Sequence, residues 1–353
     1  MSVRSGSTLN SSQPPAGEEN VSLAGRPTSK DVAQEAGVSQ STVSLVLGGK
    51  WAGRVSPATA HSVRSAAERL GYRPNQAARN LRLGTTRTVL LMVPTLSAPF
   101  FGPVYTGAAR AAARHGFAVV VSTWPDDAVG PADSPFAVTD EAIDGILASS
   151  MAVEALGGFR DTPAVMLDSG PAGERVPTVD FGVADGMREI AAHLAGLGHR
   201  RIGHVGAAVD QWTFHARGGA LAAAVAALPG GVLTRATCAI DVTSAKEAAG
   251  RLLDAPDRPT ALVCDDDLIA AGAYKAARAR GLDIPADLSV TGFDDVLLAT
   301  ALEPELTTVR LPAEELGAQG MTTLLDLLSG GRPSPRVLPG ELVVRESTAP
   351  PGA

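Results

Sequence analysis

The sequence has few of the residues and segments that crosslink proteins or anchor them in membranes. Its 353 residues include only two cysteines, Cys238 and Cys264. This excludes a disulfide scaffold and a cysteine-built zinc site, and it is typical of a reducing compartment. No apolar run approaches the roughly 18 residues that a membrane helix needs. Residues 1–25 carry one basic side chain, Arg4, and no apolar core, unlike a secretory signal. These absences predict a soluble, cytoplasmic protein.

The common catalytic motifs are also missing. There is no Walker-type Gly-Lys loop, no H-E-x-x-H pair and no G-x-S-x-G elbow. The acidic run 265–267, with Asp294 and Asp295 further along, could suggest a Mg²⁺ site. However, consecutive carboxylates at a strand end point in different directions. His199 and His204 flank a predicted strand and are interpreted as structural. We therefore expect no enzyme activity, no cofactor and no metal.

Charge is distributed unevenly along the chain. The net charge is −7, yet residues 26–87 contain ten Lys and Arg against three Asp and Glu, a formal charge of +7. The residues after 87 carry −13. With 45% apolar and 19% charged residues, most of the chain should be globular. A small basic head on a large acidic body predicts that the head contacts a polyanion.

The head is predicted to contain short helices only. Thr28 and Asp31 form a candidate capping box before a helix over 31–36. Ser39 is the candidate N-cap of a second helix, and Ser56-Pro57 opens a third. Trp51, in the loop before the third helix, is predicted to pack on the head rather than to rest on a DNA backbone.

The spacing of Ala33, Gly37 and Val43 is that of a helix-turn-helix. The small residue permits close helix approach, the glycine permits a left-handed turn, and the β-branched residue packs the second helix on the first. The second helix would then present Gln40, Ser41, Ser44 and Leu45 to a major groove. An ordinary three-helix bundle with a solvated basic face is the alternative. The charge of +7 and the short polar helix favour groove binding.

From residue 88 onward, apolar runs alternate with Ala-rich helical patterns. The strand candidates are 89–93, 118–122, 145–148, 164–167, 202–205, 261–264 and 289–291. The helical patterns are 104–115, 183–197, 216–228, 245–253, 268–280 and 313–328. This alternation predicts parallel sheets covered on both faces. About 265 residues is generous for one such sheet, so two similar lobes with a cleft between them are expected.

Several segments closely resemble the LacI/GalR-type bacterial transcription regulators. They include TSKDVAQEAGVSQSTVSLVLGG (28–49), VPTLSAPFF (93–101), CDDDLIAAG (264–272) and IPADLSVTGFDD (284–295). The resemblance implies an all-α helix-turn-helix head and an α/β core of two parallel-sheet lobes, similar to periplasmic binding proteins. It also implies a homodimeric DNA-binding regulator, most simply a repressor, that is controlled by a small-molecule effector, for which a carbohydrate is the favoured class.

The resemblance also implies a division of the chain. The expected parts are a disordered tail (1–25), a DNA-binding domain (26–74), a hinge helix and linker (75–86), and an effector-binding and dimerisation domain (87–353). Leu81 falls on the leucine that wedges into the minor groove, and its position between Arg79 and Arg82 favours this role over that of a plain linker residue. Leu45 stands where the family usually has Arg, so the operator sequence is not transferable. The expected DNA contacts are Thr28, Ser39, Gln40, Ser41, Thr42, Ser44, Leu45, Asn75, Ala78, Arg79 and Leu81.

Four positions match the family's ligand contacts: Asp168, Arg217, Asp266 and Asp294. A guanidinium with carboxylate acceptors suits vicinal hydroxyls, as in a sugar. Asp266 replaces an Asn that is common in the family, which favours a donor-rich ligand or an amine. Phe100 and Phe101 are candidate apolar walls, although for each of them alone a core position is the favoured interpretation. Asp180 is interpreted as a capping residue or a ligand contact.

Three other functions are compatible with parts of the sequence. One is an enzyme with a fused DNA-binding head. Another is a regulator whose core binds a protein or nothing. The third is a periplasmic sugar-binding protein. The basic head and an N-terminal segment that does not resemble a secretory signal argue against this function.

Overall fold

The computed structural model describes residues 27–73, 85–123, 142–150, 162–170 and 176–352. The chain divides into two compact units, with the boundary between Arg79 and Asn80. The predicted tail and the predicted hinge contacts Asn75, Ala78, Arg79 and Leu81 lie outside the described residues. No described helix is long and apolar enough to span a membrane.

Three helices lie in the described part of the first unit, and they begin at the predicted capping residues. They are α1 (Ser29–Glu35), α2 (Gln40–Leu47) and α3 (Pro57–Arg69). The Asp31 carboxylate accepts a hydrogen bond from the Thr28 backbone N–H at 2.7 Å, and α1 therefore begins two residues earlier than predicted. Ser39 Oγ accepts from the backbone N–H of Thr42 at 3.2 Å. Each cap satisfies a backbone donor that the helix leaves free.

The helix-turn-helix spacing is confirmed by the packing of the head. Ala33 and Val43 are buried against each other's helices, and Gly37 has a φ of 64° in the turn between them. Trp51 packs against the same cluster, and the Arg64 guanidinium lies 5.2 Å from the centre of its ring. The prediction that Trp51 packs on the head is therefore confirmed.

The described residues of the second unit form two six-stranded sheets. Its strands are β1 (Thr88–Val93), β2 (Ala118–Thr123), β3 (Gly145–Ser149), β4 (Ala164–Leu167), β5 (Thr178–Phe181), β6 (Arg201–Ala207), β7 (Val232–Cys238), β8 (Ala261–Cys264), β9 (Ser289–Asp294), β10 (Thr307–Arg310), β11 (Arg336–Leu338) and β12 (Glu341–Val343). The first sheet has the order β11-β5-β4-β3-β1-β2, and all its strands are parallel. The second has the order β12-β10-β9-β8-β6-β7, and only β12 is antiparallel.

The helices of this unit cover and connect the sheets. They are α4 (Phe101–Arg114), α5 (Val183–Gly196), α6 (Trp212–Ala226), α7 (Val242–Leu253), α8 (Asp267–Arg278), α9 (Leu297–Ala301) and α10 (Ala313–Leu328). The chain passes between the sheets three times: after β5, after β10, and between β11 and β12. The prediction of two parallel-sheet lobes is confirmed.

All seven predicted strands are present, and most of them are slightly longer than predicted. The strands β5, β7 and β10–β12 were not predicted. Polar residues interrupt the apolar pattern in these strands, as in TVDF (178–181) and TTVR (307–310). Thr307 and Thr308 are nevertheless completely buried. Their hydroxyls find partners in neighbouring segments, which allows polar residues in buried strands.

Glycines allow α4 and α10 to pack backbone against backbone. A Cβ at Gly317 would lie 1.9 Å from the carbonyl oxygen of Val104. A Cβ at Gly107 would lie 1.8 Å from the carbonyl oxygen of Glu314. Real Cβ atoms never approach a backbone that closely, so any side chain at either position must push the two helices apart. Since α10 also packs on β3, β4 and β5, this contact fixes one face of the first sheet.

We expect Gly317→Ala to lower the free energy of unfolding by more than about 2 kcal/mol, because the added methyl group forces the helix backbones apart. Gly219→Ala is the matched control, since Gly219 is exposed within α6 and no atom would lie within 4 Å of its Cβ. That change should stabilise the chain by roughly 0.5–1 kcal/mol. Urea unfolding followed by far-ultraviolet circular dichroism measures both. Equal stability for the two variants would contradict the close helix contact.

Candidate functional site: the carboxyl ends of the two sheets

Polar side chains gather where the parallel strands end. Asp168 directly follows β4 of the first sheet, Asp266 follows β8 of the second, and Asp294 is the last residue of β9. Asp168 and Asp294 have φ values of 52° and 104°, which turn the chain away at the strand ends. The carboxyl ends of parallel strands meet at one edge of a sheet, where ligands bind in such folds. Together with Arg217, these residues are called the carboxyl-end site below.

Arg217 is the centre of the site. It lies in α6, and only 4% of its surface is exposed. Its Nη1 donates to the backbone carbonyl of Asp265 at 2.5 Å, and its Nη2 lies 3.5 Å from Oδ1 of Asp294. The guanidinium also stacks 4.0 Å from the centre of the Phe293 ring. Its Nε has no partner among the described residues. The side chain is thus held in place and retains a buried donor.

Asp168 brings the first sheet into the same site. Its pKa is raised to about 7, chiefly because burial disfavours the charged form, while the positive charge of Arg217 opposes the shift. Asp180 and Asp294 raise the same pKa further. Oδ1 of Asp168 is enclosed and has no hydrogen-bond partner among the described residues. The structure therefore places all four predicted polar residues in one electrostatic environment.

Asp266 and Asp294 interact directly. Oδ1 of Asp266 caps α8 by accepting from the backbone N–H of Leu268 at 2.6 Å. The pKa of Asp266 is raised to about 8, first by burial and then by the negative charge of Asp294. Burial also raises the pKa of Asp294, and Arg217 opposes that shift. Arg217 therefore favours the ionised form of Asp294, and the negative charge of Asp294 in turn favours the protonated form of Asp266.

The neighbours of Asp266 have other partners. Asp265 accepts from His204 Nε2 at 2.8 Å and from the backbone N–H of Ala207 at 3.0 Å. Asp267 accepts from the Thr308 hydroxyl at 2.7 Å and from a backbone N–H at 2.8 Å. The three consecutive carboxylates thus point in different directions, as predicted. No described group of three His, Cys, Asp or Glu side chains could hold a metal ion.

The two predicted structural roles of histidine are confirmed. His199 is buried, and its ring nitrogens contact the hydroxyls of Thr260 at 2.8 Å and Ser289 at 3.0 Å. His204 is buried and bonds Asp265. Since the carbonyl of Asp265 accepts from Arg217, His204 supports the site indirectly.

Asp180 is a capping residue. Its Oδ1 accepts from the backbone N–H groups of Ser169 at 2.8 Å and Gly170 at 2.9 Å. These bonds fix the turn that carries Asp168. The ring of Trp212 lies on the same turn, since a Cβ at Gly170 would lie 2.2 Å from Trp212 Cδ2. Trp212 belongs to α6, so this contact joins the strand end of the first sheet to the helix of Arg217.

The two predicted apolar walls lie at the edge of the core. Phe100 and Phe101 are half-buried, with ring centres 5.4 Å apart in an edge-to-face pair. Phe100 also lies 6.0 Å from the fully buried ring of Phe181. Both pack against the main hydrophobic cluster. A core role is evident, while a ligand contact stays a prediction.

The sequence reasoning missed Asp265, Phe293, Trp212 and the supporting role of His204. Asp265 and Phe293 directly precede the predicted ligand residues Asp266 and Asp294. This adjacency is the one sequence signal that indicates their place in the site. Nothing in the sequence indicated that a backbone carbonyl would hold Arg217, or that Trp212 would contact the turn after β4.

The second helix of the head exposes part of the predicted DNA-contact set. Gln40, Ser41 and Ser44 are exposed, whereas Thr42 and Leu45 are half-buried. The Ser39 hydroxyl lies 2.9 Å from the hydroxyls of both Ser41 and Thr42. These hydroxyls therefore form the N-terminal cap of α2. Their contacts with DNA stay predictions.

A helix-turn-helix head and a two-sheet core with strand-end polar residues define the class of bacterial regulators with a periplasmic-binding-protein-like core. Residues 28–75 match the family described as "Bacterial regulatory proteins, lacI family". Residues 191–348 match the "Periplasmic binding protein-like domain". The chain belongs to the LacI family of bacterial regulatory proteins.

Relatives and solved structures agree with this assignment. The transcriptional repressor CytR of Escherichia coli K12 is 32% identical over 339 residues, which cover 91% of this chain and 96% of CytR. The transcriptional regulator CelR in complex with cellobiose is 30% identical, with a TM-score of 0.68 over 91% of this chain and all of that chain. The lac repressor dimer bound to operator and the anti-inducer ONPF is 25% identical, with a TM-score of 0.80 over 92% of this chain and all of that chain.

The raised pKa of Asp266 predicts a pH-dependent stability. Between the usual Asp value of 3.8 and about 8, the folded chain holds a proton that the unfolded chain releases. The contribution of Asp266 to the free energy of unfolding therefore falls as pH rises through that window. Asn mimics the protonated carboxyl and keeps the cap of α8. We expect Asp266→Asn to melt near the wild type at pH 5 and at least about 2 °C above it at pH 9.

Asp254→Asn is the control for this prediction. Asp254 is exposed and its pKa is lowered, mainly by the hydrogen bond from Arg280, so its loss should not stabilise the chain at pH 9. Thermal denaturation of both variants across pH 5–9 gives the comparison. Parallel curves for wild type and Asp266→Asn would show that Asp266 is not protonated in the folded chain.

Proposed function

We propose that the chain is a homodimeric, sequence-specific DNA-binding repressor whose operator affinity is controlled by a small molecule, most simply a carbohydrate, bound at the carboxyl-end site. The observation that supports this most directly is the pair of enclosed polar atoms at that site that have no hydrogen-bond partner among the described residues, Nε of Arg217 and Oδ1 of Asp168. Buried polar groups cost free energy unless they are hydrogen-bonded. A ligand with several hydroxyls supplies the missing partners.

The geometry of Arg217 favours vicinal hydroxyls. Its side chain is fixed by the Asp265 carbonyl and by the Phe293 ring, so little conformational freedom is lost when it binds a ligand. The carboxylates of the site can accept hydrogen bonds from hydroxyl groups, while the guanidinium donates hydrogen bonds to them. CelR was solved in complex with cellobiose, which supports a sugar as the ligand class.

The placement of the site's residues at strand ends of both sheets supports a coupling between ligand binding and the arrangement of the two sheets. Asp168 follows a strand of the first sheet, whereas Asp266 and Asp294 stand at strand ends of the second sheet. Arg217 lies in α6, which follows β6 of the second sheet. A ligand that forms hydrogen bonds with residues of both sheets binds with its full affinity in only one arrangement of the sheets. It can therefore shift an equilibrium between two states of the core, because a ligand acts through its differential affinity.

The head supports binding to duplex DNA. Its short second helix exposes polar residues, and residues 26–87 carry a formal charge of +7. A single head offers little surface, so two heads on a palindromic site explain selective binding. The lac repressor was solved as a dimer bound to operator, which supports the same arrangement here.

Operator binding should depend strongly on salt, because Lys and Arg displace counterions from phosphates.

The replacement Leu45→Arg should change the selected sequence towards a guanine at one position per half-site, since Arg can bond O6 and N7. In vitro selection of duplexes with the full chain measures the preference. His61→Arg adds the same charge on α3 and should raise affinity without changing the sequence. An unchanged preference for Leu45→Arg would show that position 45 does not face bases.

Arg217→Ala should abolish ligand-dependent release from the operator and leave DNA binding in place. The truncation removes charge-assisted hydrogen bonds of about 1.5–3 kcal/mol each. Arg251→Ala, an exposed change on α7, is the control and should respond as the wild type does. Gel shifts with and without sugar, together with melting curves, test the role. A full ligand response from Arg217→Ala would identify Arg217 as purely structural.

A further inference from the structure

Two consecutive carboxylates at the end of β9 have entirely different partners. Asp294 lies 3.5 Å from Nη2 of Arg217 in the carboxyl-end site. Asp295 instead accepts from Nη2 of Arg345 at 2.6 Å and from Nε of Arg310 at 2.8 Å. The side chain of Asp295 is only 6% exposed, so these two guanidinium groups, rather than water, balance its charge. Asp295, Arg310 and Arg345 are called the Asp295 cluster below.

The backbone between the two carboxylates has an unusual conformation. Asp294 and Asp295 have φ values of 104° and 55°, and residues other than glycine seldom adopt positive φ. Such a backbone persists only where the surrounding contacts hold it. The carbonyl of Asp294 accepts from the backbone N–H of Leu311 at 3.4 Å, and the N–H of Val296 donates to Asp267 at 2.8 Å. Between these two bonds, the charge-assisted hydrogen bonds of the Asp295 cluster hold the turn.

Arg310 connects this turn to the segments that join the sheets. It is the last residue of β10, after which the chain passes to the first sheet. Its partner in the ladder is Glu341, the first residue of β12, where the chain returns to the second sheet. Nη1 of Arg310 lies 3.2 Å from Oε2 of Glu341. The Asp295 cluster therefore contacts the second-sheet ends of two of the three joining segments.

Arg345 is the fixed member of the cluster. Only 12% of its side chain is exposed, and its Nη1 donates to the carbonyl of Leu306 at 2.8 Å. Its backbone N–H donates to the Thr307 hydroxyl at 3.0 Å. The side chain of Arg310, by contrast, is 49% exposed. Asp295 is thus bonded to one immobile guanidinium and to one that stands where the joining segments meet the second sheet.

We propose that Asp295 is a positioning residue of the effector site. Held by Arg310 and Arg345, it keeps the Asp294 carboxylate against Arg217 and ties that carboxylate to two of the segments that join the sheets. A ligand that bonds Asp294 then favours one arrangement of these segments, since a ligand acts through its differential affinity for the two states. This inference rests on the proposed function and adds the regulation of the same site.

Hydrogen exchange of the full chain without ligand tests the positioning role. Asn at position 295 offers one acceptor and one donor, so its amide N–H groups meet a guanidinium that also donates. Asp295→Asn should therefore exchange at least tenfold faster over residues 293–298 and 309–313, while β1 and α7 keep their wild-type rates. An ion pair with only a structural role would instead accelerate exchange across the whole unit, in proportion to the stability lost.

Asp254→Asn is the matched control for this change. Asp254 also accepts two hydrogen bonds from guanidinium nitrogens, both from Arg280, at 2.7 and 2.6 Å, but it is exposed on the surface. Its loss should leave exchange over residues 293–298 unchanged. Arg310→Gln, at a half-exposed position, gives the same comparison if Asp295→Asn does not fold, and Arg310→Lys should restore most of the protection because it keeps the charge.

Calorimetry with glucose, galactose and cellobiose tests the consequence for the ligand. Any of these sugars that the wild type binds should bind Asp295→Asn at least tenfold more weakly and Asp254→Asn equally well. Unchanged exchange over residues 293–298 in Asp295→Asn would overturn the inference, and so would faster exchange with unchanged sugar affinity. If the wild type binds none of these sugars, the carbohydrate class of the proposed function is wrong, and the exchange rates alone decide the role of Asp295.

Discussion

The buried guanidinium of Arg217 is the interaction on which the arrangement of the core depends. It receives its position from a backbone carbonyl at Asp265, from the Phe293 ring and from the Asp294 carboxylate. Each of these contacts belongs to a strand end of the second sheet. The same charge opposes the raised pKa of Asp168, which follows a strand of the first sheet. A single cation therefore connects the electrostatics of both sheets.

The surrounding structure keeps this cation in place by means that do not involve a ligand. His204 and Ala207 hold Asp265, and Asp180 holds the turn before Gly170, on which the Trp212 ring lies. Rigid supports of this kind reduce the entropy that a ligand must pay on binding. Within the carboxyl-end site, Nε of Arg217 and Oδ1 of Asp168 nevertheless have no hydrogen-bond partner among the described residues. A side chain that is held in place and retains a free donor is suited to binding a ligand.

Much of the fold could be predicted from patterns with a direct physical cause. Ser39 and Ser56 mark helix starts because their hydroxyls satisfy free backbone donors. Apolar runs such as 89–93 and 261–264 mark buried parallel strands. Strands β5 and β10 were not predicted because Asp180, Thr307 and Thr308 interrupt the apolar run that marks a buried strand. Their polar atoms are satisfied by residues distant in sequence, and a local pattern cannot show such partners.

The sequence by itself determined the class of protein, the helix-turn-helix spacing and the four polar positions of the site, because periodicity, capping and family motifs are local properties of the chain. The tertiary structure decided how those positions interact. Burial, followed by the charges of neighbouring carboxylates, raises the pKa values of Asp168 and Asp266, and both effects exist only after folding. The tertiary structure also decided the hydrogen-bond partners of the other carboxylates. Asp180 accepts from a backbone turn, Asp265 from His204 and Asp267 from Thr308, because a side chain's partners depend on which segments the fold brings together.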